Sequence, residues 1–146
     1  MQSRRLDEAG GLRTFAVAFQ TGDDVLEGLR AFADRADLSA ATFTGIGGFS
    51  DVTLGFFDLE KKDYERIPIR EQVEVVALTG NVTLSGADHR VHAHVVVATR
   101  DGIAHGGHLL EAHVRPTLEV MVVESPPHLR RRRDPQTGLA LLQLST

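Results

Sequence analysis

The sequence predicts an α+β domain, built from a largely antiparallel, curved sheet of about seven strands and one main amphipathic helix. Three observations support this prediction. Only one long stretch, residues 23–37, has apolar residues at helical spacing, whereas several shorter stretches alternate between apolar and polar residues. Turn-forming residues separate these stretches. A chain of 146 residues that is 42 % hydrophobic and 25 % charged fits one compact globular domain.

The first predicted elements are a strand at 12–20 and the helix at 23–37, which follow an N-terminal segment at 1–11. The alternating apolar residues of the strand are Phe15, Val17 and Phe19. The sequence Thr21–Asp24 loosely resembles a capping box, which is typical of a helix start. We expect the helix to lay its apolar stripe on the sheet.

Six further strands complete the predicted sheet. They are 40–44, 52–58, 73–85, 90–99, 103–110 and 117–123. The glycines at 45–48 require a bend, and Gly80 indicates a bend or bulge within a long strand. We treat 12–146 as a single domain in which 124–138 is a loop or connector and 139–144 is a candidate last strand.

The strand at 90–99 is apolar on both faces and therefore needs two covering layers. One face carries four aliphatic side chains, namely Val91, Ala93, Val95 and Val97. On the other face, Val96 and Ala98 accompany two histidines. One helix covers only one face, so we predict a homo-oligomer in which another copy covers the second. The alternative is a sheet that curls into a barrel and covers itself.

Composition excludes several classes of protein. The chain has no cysteine, which excludes disulfides and thiolate metal sites, so that a metal must be held by His, Asp or Glu. The net charge is −4 and the pI is near 5.9, which argues against a protein built to coat nucleic-acid phosphates. We find neither a secretory signal nor a run of about 18 apolar residues that could span a membrane. We therefore expect a cytoplasmic protein.

Six of the seven histidines lie within residues 86–113, around one predicted hairpin. His92 and His94 are two residues apart on a strand, so their side chains lie on the same face, with Cα atoms about 6.5–7 Å apart. Imidazole is the commonest metal ligand in proteins, and this spacing allows two rings to converge on one ion. A third histidine from the next strand would complete a three-nitrogen site.

The third ligand is either His105 or His108. A two-residue turn at Asp101-Gly102 would put His105 on the same face as the first two histidines and His108 on the opposite face. A one-residue bulge at 106–107, where the chain has two glycines, would reverse this and bring His108 to the site. The residues alone leave both alternatives open.

The remaining candidates have simpler interpretations. A histidine pair on a strand is more often a surface feature than a metal site. We expect His89 in a turn, His128 in solvent, and His113 either near the site or merely exposed. Glu119 lies on an apolar strand and must be paired. It is either a partner of a ligand histidine or, as we favour, a structural partner of an arginine such as Arg115.

The chain resembles the PPC (plants and prokaryotes conserved) domain family over residues 12–123. The resemblance depends on His92-Ala93-His94, on Gly106-Gly107-His108-Leu109 and on the sequence from Arg115 to Val120. The helix start at Thr21–Asp24 and the glycine bend after Thr44 also fit. The pairing of His-x-His with Gly-Gly-His-Leu is the specific part of this pattern.

The resemblance implies a homotrimeric α+β domain whose metal site consists of His92, His94 and His108, which selects His108 over His105. In plant members the domain follows AT-hook motifs that bind A/T-rich DNA, and the PPC part mediates self-association and partner binding. This chain has no Arg-Gly-Arg-Pro core of an AT-hook, which argues against direct DNA binding. The only basic cluster, Arg130–Arg133, is expected to be a solvated, flexible connector.

Two functions follow from these observations. The first is a homotrimeric regulatory or protein-interaction module that binds a divalent metal, with zinc preferred. The second is a metal-dependent enzyme, since three histidines leave a coordination position open for water. An enzyme also needs a general base, for which Asp88, Glu111 and Glu119 are the acidic candidates near the predicted site. We favour the module.

Overall fold

The computed structural model describes residues 1–144. The elements in chain order are β1 (Gln2–Ala9), β2 (Leu12–Gln20), α1 (Val25–Arg35), β3 (Ala40–Asp58), β4 (Asp63–Ile69), β5 (Val73–Ser85), β6 (Asp88–Ala98), β7 (Ala104–Glu124), β8 (Arg130–Arg133) and β9 (Ala140–Gln143). The nine strands of this part of the chain form one sheet, in which only the pairing of β5 with β8 is parallel. The α+β class and the largely antiparallel sheet are confirmed, although there are more than the expected number of about seven strands.

Two strands are longer than predicted because the expected breaks remain inside the ladder. β3 joins the predicted strands 40–44 and 52–58, and β7 likewise joins the last two predicted strands. The glycine bend becomes a bulge, where the register against β5 shifts between Gly45 and Gly47. A Cβ atom on Gly47 would lie 2.2 Å from the carbonyl oxygen of Thr117, so only glycine allows the strands to approach this closely.

Three strands, β1, β4 and β8, were not predicted at all. β4 lies between the predicted strands 52–58 and 73–85 and pairs with β3. β1 lies within the N-terminal segment 1–11 and pairs with β2, but all of its residues are exposed, so no alternation of apolar and polar residues indicates it. β8 lies within the expected connector 124–138 and pairs with both β5 and β9. β9 lies within the candidate last strand 139–144. The sheet therefore extends at both ends of the described chain.

The helix α1 is shorter than the predicted 23–37, and it begins at a different cap. Asp24, rather than Thr21, is the N-cap, and its carboxylate accepts a hydrogen bond of 2.8 Å from the backbone N–H of Glu27. The buried side chains of the helix are Val25, Leu29, Phe32 and Ala33, which pack in one cluster with the sheet. This confirms the predicted amphipathic stripe. No helix in residues 1–144 is long and apolar enough to cross a membrane.

The core lies between α1 and one face of the sheet. β6 pairs with both β5 and β7, which makes the sheet curl. In β6, Val95 and Val97 are buried in the core, while Val96 points to the opposite side and is 37 % exposed. We call the side away from α1 the open face. It carries five apolar side chains that are 37–60 % exposed, namely Ile46, Val76, Val96, Met121 and Val123.

Candidate metal centre

The first two histidines of the site lie on β6, next to each other on the open face. The alternate residues Ala93 and Val95 are buried in the core, so the side chains of His92 and His94 project to the other side of the sheet. β5 pairs with this part of β6, with His92 opposite Asn81. His94 is exposed, whereas His92 is partly buried. The prediction that the side chains of His92 and His94 lie on the same face of the sheet is therefore confirmed.

The loop of the β6–β7 hairpin sets the position of the third histidine. The loop consists of residues 100–102, because the N–H of Thr99 donates to the carbonyl oxygen of Ile103 at 3.1 Å and closes the hairpin. Gly102 has a φ of 81°, the left-handed conformation that three-residue hairpin loops favour. The expected two-residue turn that would pair Arg100 with Ile103 is wrong by one residue, since the loop begins one residue earlier.

This loop puts His108 directly opposite His94 and puts His105 opposite Val97. Directly opposed residues of an antiparallel pair share a face. His108 therefore lies on the open face with His94, whereas His105 lies on the face of the buried Val97. The register is regular through 106–107, so the glycine bulge that one of the two alternatives required does not form and is not needed.

The three imidazoles lie close together. The ring centroids of His92, His94 and His108 are 5.2–5.3 Å apart. One nitrogen atom from each ring lies within 4.8 Å of the other two. Zn–N bonds of about 2.0–2.1 Å would place tetrahedral ligand atoms about 3.4 Å apart. Small side-chain rotations can therefore bring all three nitrogens onto one ion.

The electrostatics of the cluster favour neutral rings. Burial, followed by the charges of the neighbouring His92 and His94, lowers the pKa of His108 from 6.5 to about 4. Burial, Arg131 and His94 likewise lower the pKa of His92. A metal ligand must be deprotonated, so neutral imidazoles have the lone pairs that a cation requires. The chemistry of the donor set thus fits a divalent metal.

One buried ring nitrogen of the cluster has no hydrogen-bond partner among the described residues. The Nδ1 atom of His108 is buried and has no hydrogen bond to any residue in 1–144. A buried polar atom without a partner is disfavoured and is rare in folded proteins. One face of this imidazole is packed, because Tyr64 stacks on it with centroids 4.5 Å apart and an interplanar angle of 25°. A bound cation would give a ring nitrogen of this cluster the partner that it lacks.

A close approach of two strands fixes the backbone beside His92. A Cβ atom on Gly80 would lie 2.3 Å from the carbonyl oxygen of His92 and 2.6 Å from Cζ of Phe43. Glycine at this position therefore allows β5 and β6 to pack closely at the site. The bulge that we expected at Gly80 lies instead between Val75 and Ala77.

The basic run 130–133 is not the solvated, flexible connector that we expected. It forms β8, and Arg131 is 8 % exposed. The Nη2 group of Arg131 donates to Oδ1 of Asn81 at 2.6 Å and lies 3.4 Å from Nδ1 of His92. The run is thus ordered because β8 pairs with β9 and places the guanidinium of Arg131 beside the histidine cluster.

The other histidines lie outside the cluster. His89 is in β6 rather than in a turn, and its two ring nitrogens contact Oδ1 of Asp34 and the carbonyl oxygen of Leu38, each at 2.5 Å. His113 is exposed and its Nδ1 lies 2.8 Å from Oδ1 of Asp51. His128 is exposed, as expected.

The acidic candidates do not join the cluster either. Glu119 is exposed on the open face, and it has neither the ligand histidine nor the arginine that we expected as its partner within the described chain. Glu111 is paired with Arg66 at 2.7 Å. Asp88 lies 3.7 Å from Arg90. Among residues 1–144, the group of potential metal ligands contains histidines alone.

Sequence reasoning missed three residues that line the cluster. Asn81 lies on the strand that we predicted at 73–85, whereas Tyr64 lies on β4, which we did not predict, and no motif marks either residue. Arg131 is one of four consecutive arginines, and such runs are usually solvated. Arg131 differs from its three neighbours only in being buried, and the local sequence pattern does not indicate which arginine of the run is buried.

The chain matches a family and several proteins of similar fold. Residues 6–126 match the Plants and Prokaryotes Conserved (PCC) domain. Over 138 residues the chain is 30 % identical to the bifunctional protein GlmU of Synechococcus, a match that includes 92 % of this chain but only 21 % of that protein. The chain thus spans about a fifth of the length of this relative.

Three solved structures are similar over nearly their whole length. A plant- and prokaryote-conserved protein from Pyrococcus horikoshii has a TM-score of 0.86 and 32 % identity, over 92 % of this chain and 93 % of that one. A proposed DNA-binding protein from Bacteroides thetaiotaomicron has a TM-score of 0.84 and 26 % identity, over 97 % and 96 %. A metal-containing protein from Archaeoglobus fulgidus has a TM-score of 0.82 and 32 % identity, over 89 % and 92 %. The chain therefore belongs to the Plants and Prokaryotes Conserved (PCC) domain family, as the sequence resemblance predicted.

Proposed function

We propose that His92, His94 and His108 bind one divalent metal ion, with zinc preferred, in a cytoplasmic, homotrimeric module that regulates or binds other proteins. The observation that carries the proposal is the convergence of three imidazoles, each of which offers one nitrogen atom within 4.8 Å of the other two. The buried, unpartnered Nδ1 of His108 supports it. The similarity to a metal-containing protein from Archaeoglobus fulgidus also supports it.

The open face supports self-association. Three of its five exposed apolar side chains, Ile46, Val76 and Met121, line a groove of about 690 Å³, and exposed apolar surface of this kind is typical of interfaces. Arg4 and Glu119 also line this groove, and neither has an ion-pair partner in the described residues. A second copy would cover the apolar surface and could supply the missing opposite charges. We therefore propose that the open face is the contact between copies.

A metal-dependent enzyme is the second candidate. Three protein ligands leave a fourth position of a tetrahedral ion open, and His94 is exposed to solvent, so a substrate could reach it. A metal in this position would supply Lewis-acid chemistry or an activated water. The ligand group within 1–144 contains no carboxylate that could act as a general base beside it. We therefore place the enzyme second.

Direct DNA binding is not part of the proposal, although one similar structure is of a proposed DNA-binding protein. The net charge is −4, and DNA affinity depends largely on cationic contacts to phosphates. Of the four arginines in β8, Arg131 is buried and only Arg132 and Arg133 are exposed. Too few free cations remain in this run to form a phosphate-binding surface.

Metal analysis of untagged protein tests the proposal. We expect one metal ion per chain in the wild type and none in His92→Ala or His94→Ala. His105→Ala is the matched control, because this histidine lies on the neighbouring strand but on the other face, and it should keep the metal. Light scattering on the same samples should give the mass of a trimer. Metal-free wild type, or equal metal in all variants, would refute the metal site.

A further inference from the structure

Arg131 is a buried cation without a counter-charge. Its side chain is nine-tenths buried, and its partners are the carbonyl oxygen of Ala140, Oδ1 of Asn81 and Nδ1 of His92, all of them neutral. Its Nε–H has no hydrogen-bond partner. None of the carboxylates in residues 1–144 forms an ion pair with it. Burial of an unpaired charge is strongly disfavoured, so this guanidinium needs an anion from outside the described chain.

The contact between Arg131 and His92 cannot persist when His92 binds a metal. A guanidinium only donates hydrogen bonds, so Nδ1 of His92 must carry a lone pair and the other ring nitrogen its proton. Coordination through either nitrogen of the neutral ring then removes the acceptor that Arg131 uses. Metal loading would therefore free an Nη2 donor of Arg131 next to the ion.

The same step would place two positive centres beside each other. A divalent ion held by three neutral histidines keeps its full charge, and Arg131 adds another in a partly buried site. An anion that contacts both would offset this repulsion and supply the counter-charge that Arg131 lacks. Planar or tetrahedral oxyanions suit this role, because guanidinium groups bind carboxylates and phosphates with more than one hydrogen bond.

We infer that the ligand of this site is an oxyanion, either a carboxylate or a phosphate, that binds the open metal position and Arg131 together. The inference rests on the proposed metal site. Arg132, next along β8 and exposed, has no such role. The site thus selects small molecules or chain ends that carry a carboxylate or phosphate group.

Cobalt(II) is the probe, because its visible absorption responds to a change of ligand at an open coordination position. The cobalt-loaded protein is titrated with sodium acetate and, in a separate arm, with sodium phosphate, at constant ionic strength maintained with sodium chloride. We expect a saturable spectral change with one or both anions, and the arm that responds identifies the class of oxyanion. Arg131→Met should weaken the binding by roughly 10–100-fold, the loss expected for a hydrogen bond to a charged group.

Two further variants make the comparison specific. Arg132→Met removes a neighbouring charge and should bind the anion as the wild type does. Arg131→Gln keeps donors for Asn81 and Ala140 without the charge, so it replaces Arg131→Met if circular dichroism shows that the latter does not fold. No anion response in cobalt-loaded wild type, or equal anion affinity in the Arg131 variants, would overturn this inference alone. Failure of the wild type to bind cobalt would overturn the proposed metal site as well.

Discussion

His94 and His108 face each other directly across the β6–β7 hairpin, with ring centroids 5.3 Å apart and ring planes at 90°. The pairing results from a three-residue loop that closes at Thr99 and Ile103. A register one residue away would turn the two side chains to opposite faces. The candidate metal centre therefore depends on how the strands pair. Substitutions that disturb the backbone around it should weaken metal binding most clearly.

Gly80→Ala should destabilise the protein and weaken metal binding. The added Cβ would lie 2.3 Å from the His92 carbonyl oxygen, so β5 and β6 must separate at the site. Overpacking of this kind costs about 1–3 kcal/mol. Urea unfolding of the metal-free protein and a zinc titration measure the two effects. Gly106→Ala is the control, because its Cβ would meet Val96 at an ordinary 3.4 Å. Equal behaviour of the two variants would show that strand proximity does not matter here.

Tyr64→Ala should loosen the third imidazole. Tyr64 stacks on His108 and meets Phe57 edge to face at 5.0 Å. Aromatic pairs of this type contribute about 0.5–1.5 kcal/mol beyond the area that they bury. We expect several-fold weaker zinc binding, measured by competition with a chelator, and lower thermal stability. Tyr64→Phe retains the ring and should behave as the wild type, so a similar loss in both variants would contradict a stacking role.

The ion pair of His113 and Asp51 should make stability depend on pH. The hydrogen bond with Asp51 raises the pKa of His113 against the opposing effect of burial, and the charges of Asp51, Asp24 and Glu111 raise it further. Burial raises the pKa of Asp51, but hydrogen bonds from His113 and Ser50 outweigh it and leave that pKa below its ordinary value.

A raised histidine pKa stabilises the folded state fully below the unfolded value of 6.5, and this stabilisation is lost as pH rises through the higher folded value. The lowered carboxylate pKa stabilises above 3.8 and is lost as pH falls through the lower folded value. The pair should thus contribute most between these two limits. Because both side chains are nearly half exposed, we expect less than about 1 kcal/mol. NMR titration should show a lower His113 pKa in Asp51→Asn, and an unchanged pKa would contradict this pairing.

Glu124→Gln should weaken the hydrogen bonds that link β2, β7 and the end of α1. The carboxylate of Glu124 accepts two hydrogen bonds of 2.7 Å from Arg13, whose Nη1 also donates to the carbonyl oxygen of Ala36. Hydrogen bonds to charged groups in partly buried positions are worth about 1.5–3 kcal/mol. Denaturant unfolding measures the loss. Glu8→Gln, in an exposed pair with Arg5, is the control and should change stability by less than about 1 kcal/mol.

Ile46→Asp should dissociate the oligomer. Ile46 is 60 % exposed on the open face, so a carboxylate there would be desolvated if another copy covers it. Leu59→Asp is the control, since Leu59 is 72 % exposed in the turn between β3 and β4, away from the open face. Light scattering should show a smaller mass for the first variant alone. A monomeric wild type, or an unchanged mass for Ile46→Asp, would exclude this face as the contact.

The sequence was sufficient for features that depend on local periodicity. Alternation placed His92 and His94 on one face, and helical spacing identified α1, because both follow from the geometry of a single element. Whether His105 or His108 joins them depends on the length of one loop. Asp101-Gly102 fits a two-residue turn equally well, so the residues could not decide. The family resemblance selected His108, the histidine that the structure brings beside His92 and His94.

Other features depend on contacts that are distant along the chain. β1 has no buried residue and hence no alternation, and only its pairing with β2 identifies it. Arg131 lies 39 residues from His92 along the chain, and a run of four arginines gives no sign that one is buried. Tyr64 reaches His108 only because β4 folds back along β3. Such tertiary contacts are invisible to patterns that extend over one element.

The most direct test of the account is a crystal structure of the zinc-loaded protein with anomalous data collected on both sides of the zinc absorption edge. The account predicts one anomalous peak per chain, bonded to nitrogen atoms of His92, His94 and His108 at about 2.0–2.1 Å. A fully loaded crystal with no peak at this position, or with a peak held by other residues, would contradict it.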